Sequence, residues 1–286
     1  MSILTEKAVL VALNVGGWNA RKRDDEASSV VHEHYHAEKD SGNYNKCLID
    51  VKDEHWVAIT RARTALREYH YSHTLPWVLK GSQLLAAAGY LDYNEGVRIR
   101  INAYTKAFTA FVEQAYDNLK ADAKKKRNGM YREDDYPTKS DLRRKYYAEV
   151  AFLPVPDKGH VVVDLQNKEV ERIQRDTEMM IAQAVEQAQL ELWRRLYDPV
   201  AKMAASLNDP TTRFHDTLVS NVRDIVALAP SMNLAEDEKL SALVSEVKKQ
   251  LTKASPDTLR TDPDVRVEQA KKASVLAKKM SSLMPK

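Results

Sequence analysis

A mainly α fold is what this sequence predicts: a helical N-terminal region, a small central β-hairpin, and a C-terminal helical bundle or antiparallel coiled coil with one long helix. Three observations carry that expectation. Apolar residues make up 43% and charged residues 30% of the 286, and 8 Gly and 10 Pro are too few for a loop-rich or barrel fold. Apolar positions recur at helical spacing through most of the chain. One stretch alone, "EVAFLPVPDKGHVVVDL", reads as two short strands around a Pro-Gly turn. The length allows one large or two modest cores, and the hairpin suggests a division into residues 1–165 and 166–286.

The opening "MSILTEKAVLVALNVGG" reads as a short first helix, because its apolar run carries Glu6 and Lys7 and lacks a signal-peptide pattern. Gly16-Gly17 break it, and Asp24 or Asp25 can cap a second helix that ends at "DSGNYNK". Val51, Trp56, Ile59, Ala62, Leu66 and Tyr69 form the stripe of a third, closed by Thr74-Leu75-Pro76-Trp77. After a break near Gly89, a fourth helix runs to about Lys124 with Val97, Ile101, Tyr104, Phe108, Phe111, Val112, Ala115 and Leu119 on its apolar face. Ser140 can cap a short helix through "DLRRKYYAE".

The hairpin strands are expected at Val150 to Val155 and His160 to Leu165, with Pro154 at an edge because proline cannot donate to a ladder. The longest helix follows, Asn167 to Leu207, its stripe formed by Ile173, Ile181, Ala184, Ala188, Leu192, Leu196, Val200, Met203 and Leu207. Pro199 should kink it. Further helices are expected from Asp209-Pro210 to Leu228, stopped by Ala229-Pro230, then at 236–252 and 264–283.

Lys and Arg outnumber Asp and Glu by only 44 to 41, so a nucleic-acid surface must be a local patch. Cys47 has no partner for an internal disulfide, which suits a reducing compartment. No stretch approaches the ~20 uninterrupted apolar residues a bilayer needs. The expectation is a soluble cytoplasmic protein without a membrane partner.

His32, Glu33 and His36 have the His-Glu-x-x-His spacing of zinc peptidases, which on a helix brings two imidazoles to one face beside a general base. The extended ligand pattern is missing, since Lys39 and Gly42 occupy those places, and charged residues follow directly. A solvated His-rich helix is the preferred reading, with metal binding by His32 and His36 an alternative and catalysis a remoter one.

Basic clusters next to aromatics suit single-stranded nucleic acid, because phosphates take the charge while bases stack on rings. Lys124, Lys125, Lys126 and Arg127 form one cluster, and Arg143, Arg144 and Lys145 with Tyr146 a second. Arg21, Lys22 and Arg23 near Trp18 repeat the chemistry. The competing explanation is a set of solvated helix ends, where cations oppose the macrodipole. Walker A, G-x-G-x-x-G, G-x-S-x-G and CxxC patterns do not occur, so no cofactor is expected.

Several segments, "AEKDSGNYNKCLID", "YHYSHTLPW", "DYPTKSDLRRKYYAEVAFLPVPDKGHVVVDL", "LYDPVAKMAASLNDPTTRFHDTLVSNVRDIVALAPSMNL" and "DPDVRVEQAKKASVLAKKM", together resemble helical proteins of tailed bacteriophages and prophages with no assigned activity. The resemblance spans nearly the whole chain. It implies a phage protein in the host bacterial cytoplasm, an accessory to DNA metabolism or to phage–host conflict. A weaker likeness to helical proteins encoded beside MoxR-type AAA ATPases suggests an ATPase partner. The combined expectation is a non-enzymatic accessory that binds nucleic acid or a DNA-processing complex. The alternatives are an inhibitor or adaptor that binds a host or phage protein and, less favoured, a zinc metallopeptidase. Long apolar stripes and a hairpin edge also make homo-oligomers possible.

Overall fold

The computed structural model describes residues 3–157, 159 and 166–285, and the protein is mainly α, as its periodicity predicts. Contacts divide it into two compact units, both discontinuous in sequence: residues 1–12, 71–94 and 151–286 form the first, and 13–70 with 95–150 the second. Neither unit is therefore a single segment ending or beginning at residue 165. The net charge is uneven between them. The second unit carries 22 Lys and Arg against 19 Asp and Glu, and the first 22 against 22, so the whole excess of three belongs to the second.

The N-terminus corrects the sequence reading. Helix α1 (Ile3–Lys7) gives way to strand β1 (Ala8–Gly16) where a helix was expected. A short apolar run such as "AVLVALNVG" does not distinguish helix from strand by periodicity. Pairing decides: β1 lies antiparallel to β5 (Gln83–Ala86), with Ala8 opposite Ala86 and Val11 opposite Gln83, in a sheet ordered β4-β5-β1-β6. Strand β4 is Leu75–Pro76 and β6 is Tyr147–Pro154. β6 contains most of the first expected hairpin strand and ends at Pro154, on an outer strand of this sheet, where a missing donor is tolerated. The second expected strand, 160–165, lies outside the described residues.

Helix α7 (Asn167–Asn208) is one continuous helix through Pro199. Ile181, Ala184, Ala188, Leu192, Leu196, Val200, Met203 and Leu207 are all buried on it, joined by Trp193. It packs against α8 (Thr217–Met232) and α11 (Pro263–Leu283), with α9 (Glu238–Leu251) lying on both of these and α10 (Pro256–Thr261) on α11. Helix α8 starts later than expected because Asp209 instead closes a local turn, accepting from the Thr211 amide and from both the Thr211 and Thr212 hydroxyls. These bonds hold its carboxyl down at about 2. Pro230 sits in the last turn of α8 without stopping it. Arg266 of α11 donates to the carbonyls of Ser206, Leu207, Asp209 and Thr212, satisfying the acceptors left open at the end of α7. Asp237 caps α9 and accepts from Gln189 Nε2 and Trp193 Nε1, each at 2.9 Å.

In the second unit, α2 (Asp25–Tyr35), the helix α3 (Glu54–His73) and α4 (Tyr90–Ala110) account for most of the expected elements. A π-turn at Phe111–Ala115 separates α4 from α5 (Tyr116–Arg127), so the single expected helix is two. Helix α6 (Lys139–Lys145) is capped by Thr138, whose hydroxyl accepts from the Asp141 amide, and not by Ser140. The core here is aromatic: Trp18, Tyr104, Phe111, Tyr116, Tyr136 and Tyr146 pack together. The break at Gly17 is enforced by this core. A Cβ there would come within 2.9 Å of the Tyr104 hydroxyl and 3.1 Å of the Tyr146 ring, and Tyr104 is fully buried with its hydroxyl donated to the Gly16 carbonyl. Gly17→Ala is expected to cost about 1–3 kcal/mol through overpacking, read as a lowered urea midpoint with an unchanged m-value.

Candidate nucleic-acid interface

Two short strands, β2 (Arg21–Arg23) and β3 (Asn45–Cys47), form an antiparallel ribbon with Arg21 opposite Cys47, Lys22 opposite Lys46 and Arg23 opposite Asn45. Opposed residues share a face, and successive residues alternate between faces. Lys22 and Lys46 thus stand on one face, and Arg21, Arg23, Asn45 and Cys47 on the other.

On the first face Lys46 is buried between two carboxylates, whereas Lys22 is half-exposed. Lys46, 5% exposed at its side chain, lies 2.8 Å from both Asp24 Oδ2 and Asp135 Oδ2 and donates to the Met130 carbonyl at 2.9 Å. Lys22 reaches Asp135 Oδ1 at 3.1 Å. Burial disfavours the Lys46 charge, but the two carboxylates outweigh it and raise its pKa above the usual lysine value. The amide of Ala27, then Lys46, lower the pKa of Asp24. Burial acts to raise that of Asp135, and the two lysines more than offset it. Asp24 is also the N-cap of α2, so this network fastens α2, β3 and the 130–135 turns to one another.

The second face borders the end of α5. Arg127 donates through Nε to the Cys47 carbonyl and through Nη2 to the Ile49 carbonyl, docking the helix terminus against β3. A cleft of about 470 Å³ lies there, lined by Tyr44, Asn45, Cys47 and Val51 on one side and by Asp122 and Lys126 on the other. Lys124, Lys125 and Lys126 are exposed. Lys124 approaches the Tyr131 ring at 6.0 Å, and Lys125 is 4.0 Å from Asp122. The strand carrying Arg21–Arg23 and the helix end carrying Lys124–Arg127, about a hundred residues apart in sequence, are therefore both bonded to β3.

The other sequence-picked cluster does not assemble. Arg143 pairs with Glu113 and Arg144 with Asp141, leaving Lys145 exposed. Tyr146 is only 4% exposed, stacked on Phe108 at 5.3 Å and packed against Tyr104 and Phe111. It is a core aromatic, and burial pushes its hydroxyl pKa upward, so the expected stacking role is withdrawn.

The His-Glu-x-x-His segment falls on the last turns of α2. Here His36 is the C-cap in the left-handed region (φ 51°), its amide donating to Glu33 O while the Ala37 amide bonds His32 O. A helix that ends on its second histidine does not hold both imidazoles on one continuous turn. His32 Nε2 lies 2.9 Å from the Gly42 carbonyl oxygen. Among the described residues no group of three or more His, Cys, Asp or Glu is placed to hold a metal ion. Likewise, no helix among them is long and apolar enough to cross a membrane.

Lys46 and Tyr44 were not anticipated as site residues. Nothing around "NYNKCLID" marks a buried lysine, because the two carboxylates that hold it lie 22 and 89 positions away. No family model, curated protein or solved structure matches this chain.

Proposed function

We propose that this protein is a non-enzymatic accessory of bacteriophage DNA metabolism that binds nucleic acid through its second unit. The observation that carries the reading is the attachment of both the Arg21–Arg23 strand and the Lys124–Arg127 helix end to β3. Acidic partners blunt part of this charge: Lys22 is taken by Asp135, and Arg23 by Asp25 at 2.6 Å. Among the described residues Arg21, Lys124 and Lys126 make no ion pair with a carboxylate and Lys125 reaches Asp122 only at 4.0 Å, so these four remain for phosphates. The local excess of cations in this unit supports the same reading, since phosphate neutralisation supplies most non-specific affinity. The likeness to tailed-phage proteins supports the biological setting.

Replacing Lys124, Lys125 and Lys126 together by glutamine tests it. Arg127 is left in place because it holds the fold. Each lost phosphate contact lowers the magnitude of the slope of log K against log salt by about 0.7–0.9. Fluorescence anisotropy with labelled DNA should show weaker binding and a slope smaller in magnitude by roughly 2. A triple variant that binds like the parent would rule out this surface.

A further inference from the structure

We propose that the cleft between β3 and the end of α5 receives one unstacked base of a single-stranded nucleic acid, with the flanking phosphates held by Lys124, Lys125, Lys126 and Arg21. This rests on the nucleic-acid reading above and specifies the form of the ligand. The cleft, about 470 Å³, falls within the ~300–1,000 Å³ range of pockets that enclose small organic molecules. A base paired inside a duplex cannot enter it, whereas a base in a single strand turns outward at little cost.

The lining separates into parts that suit a base and parts that suit phosphate. Ile49, Val51, Leu119 and Met130 offer apolar walls, and Tyr44, 44% exposed as a residue, offers an aromatic ring. The backbone that carries the ring is fixed before any ligand arrives. The Tyr44 amide donates to Ser28 Oγ and its carbonyl accepts from the Asp24 amide, both at 2.9 Å, so only the side-chain torsions remain to be ordered for stacking. Asp50 and Asp122 also line the cleft. Their carboxylates repel a phosphate and accept from the N–H groups of a base, which orients the base inward and the backbone outward. Lys126 stands in the lining itself, and Lys124 and Lys125 continue the positive charge around the same helix end. A free mononucleotide places its charge at one point and does not use that spread, whereas successive phosphates of a strand do.

The test uses the full chain and a labelled single strand of about a dozen nucleotides, compared with the same sequence as a duplex at low salt. Val51→Trp fills the cleft from a half-open position, and Tyr44→Ala removes the ring while Tyr44→Phe keeps it. The expected result is tighter binding of the single strand than of the duplex. Val51→Trp and Tyr44→Ala should each weaken single-strand binding about tenfold, leave duplex binding unchanged, and keep the thermal midpoint of the parent. Tyr44→Phe should bind like the parent. Equal losses on both forms, or no loss with either cleft variant, would overturn the cleft assignment and leave the nucleic-acid reading standing. A parent protein that binds neither form overturns both.

Discussion

Lys46→Ala is expected to destabilise the protein by about 3–5 kcal/mol, because it leaves Asp24 and Asp135 buried and facing each other without their shared cation. Chemical denaturation at neutral pH measures this directly. The pH window follows from the shifts. Asp24 and Asp135 have lowered pKa values, so their contribution is present above the unfolded carboxylate value near 3.8 and is lost as pH falls through their folded values. Lys46 has a raised pKa, so its contribution is full below the unfolded value of 10.5 and is lost as pH rises through its folded value. Replacing all three with neutral residues of similar shape should recover much of the loss, since a buried ion pair contributes little net stability once its desolvation is counted. The network therefore acts chiefly to fix how α2 and the 130–135 turns meet β3, and with them the wall of the cleft.

Acid should weaken the fold well before those carboxylates titrate. His70 on α3 is 2% exposed, and burial lowers its pKa from 6.5 to about 4. The unfolded chain takes up this proton below pH 6.5 while the folded chain resists it. Stability is thus complete above 6.5 and declines by about 1.4 kcal/mol per pH unit below it, approaching 3 kcal/mol at pH 4. In His70→Gln that component of the slope should vanish between pH 6.5 and 4. A variant whose curve parallels the parent's over that interval would show that His70 is not protected from protonation in the fold.

What the sequence displayed and what it concealed differ by the range of the forces involved. The stripe of α7 was legible because a 3.6-residue repeat sustained over 42 residues has no competing explanation. The cap of α2 was legible for the same local reason, since Asp24 accepts from an amide three residues on. β1 was not, because nine residues of short apolar run satisfy either period until Leu84 and Leu85 supply a strand partner. The ribbon was hidden too: Arg21, Lys22 and Arg23 are all exposed and show no alternation of polarity.

Site residues divide along the same line. Local composition picked out Lys124 to Arg127, but only tertiary structure shows that Arg127 is consumed by backbone carbonyls while its three neighbours stay exposed. It also separates Tyr146, swallowed by an aromatic core, from Tyr44, which no charge run advertised. The histidine spacing at 32 and 36 was real, yet a left-handed cap at His36 changes what that spacing presents.

The most direct test of the central claim is the salt dependence of binding by the unmodified chain. With labelled single-stranded DNA titrated between about 50 and 200 mM salt, a surface engaging about four phosphates through Arg21, Lys124, Lys125 and Lys126 should give log K falling linearly with log salt at a slope near −3. Absence of binding at 50 mM salt, or affinity that does not change with salt, would contradict it.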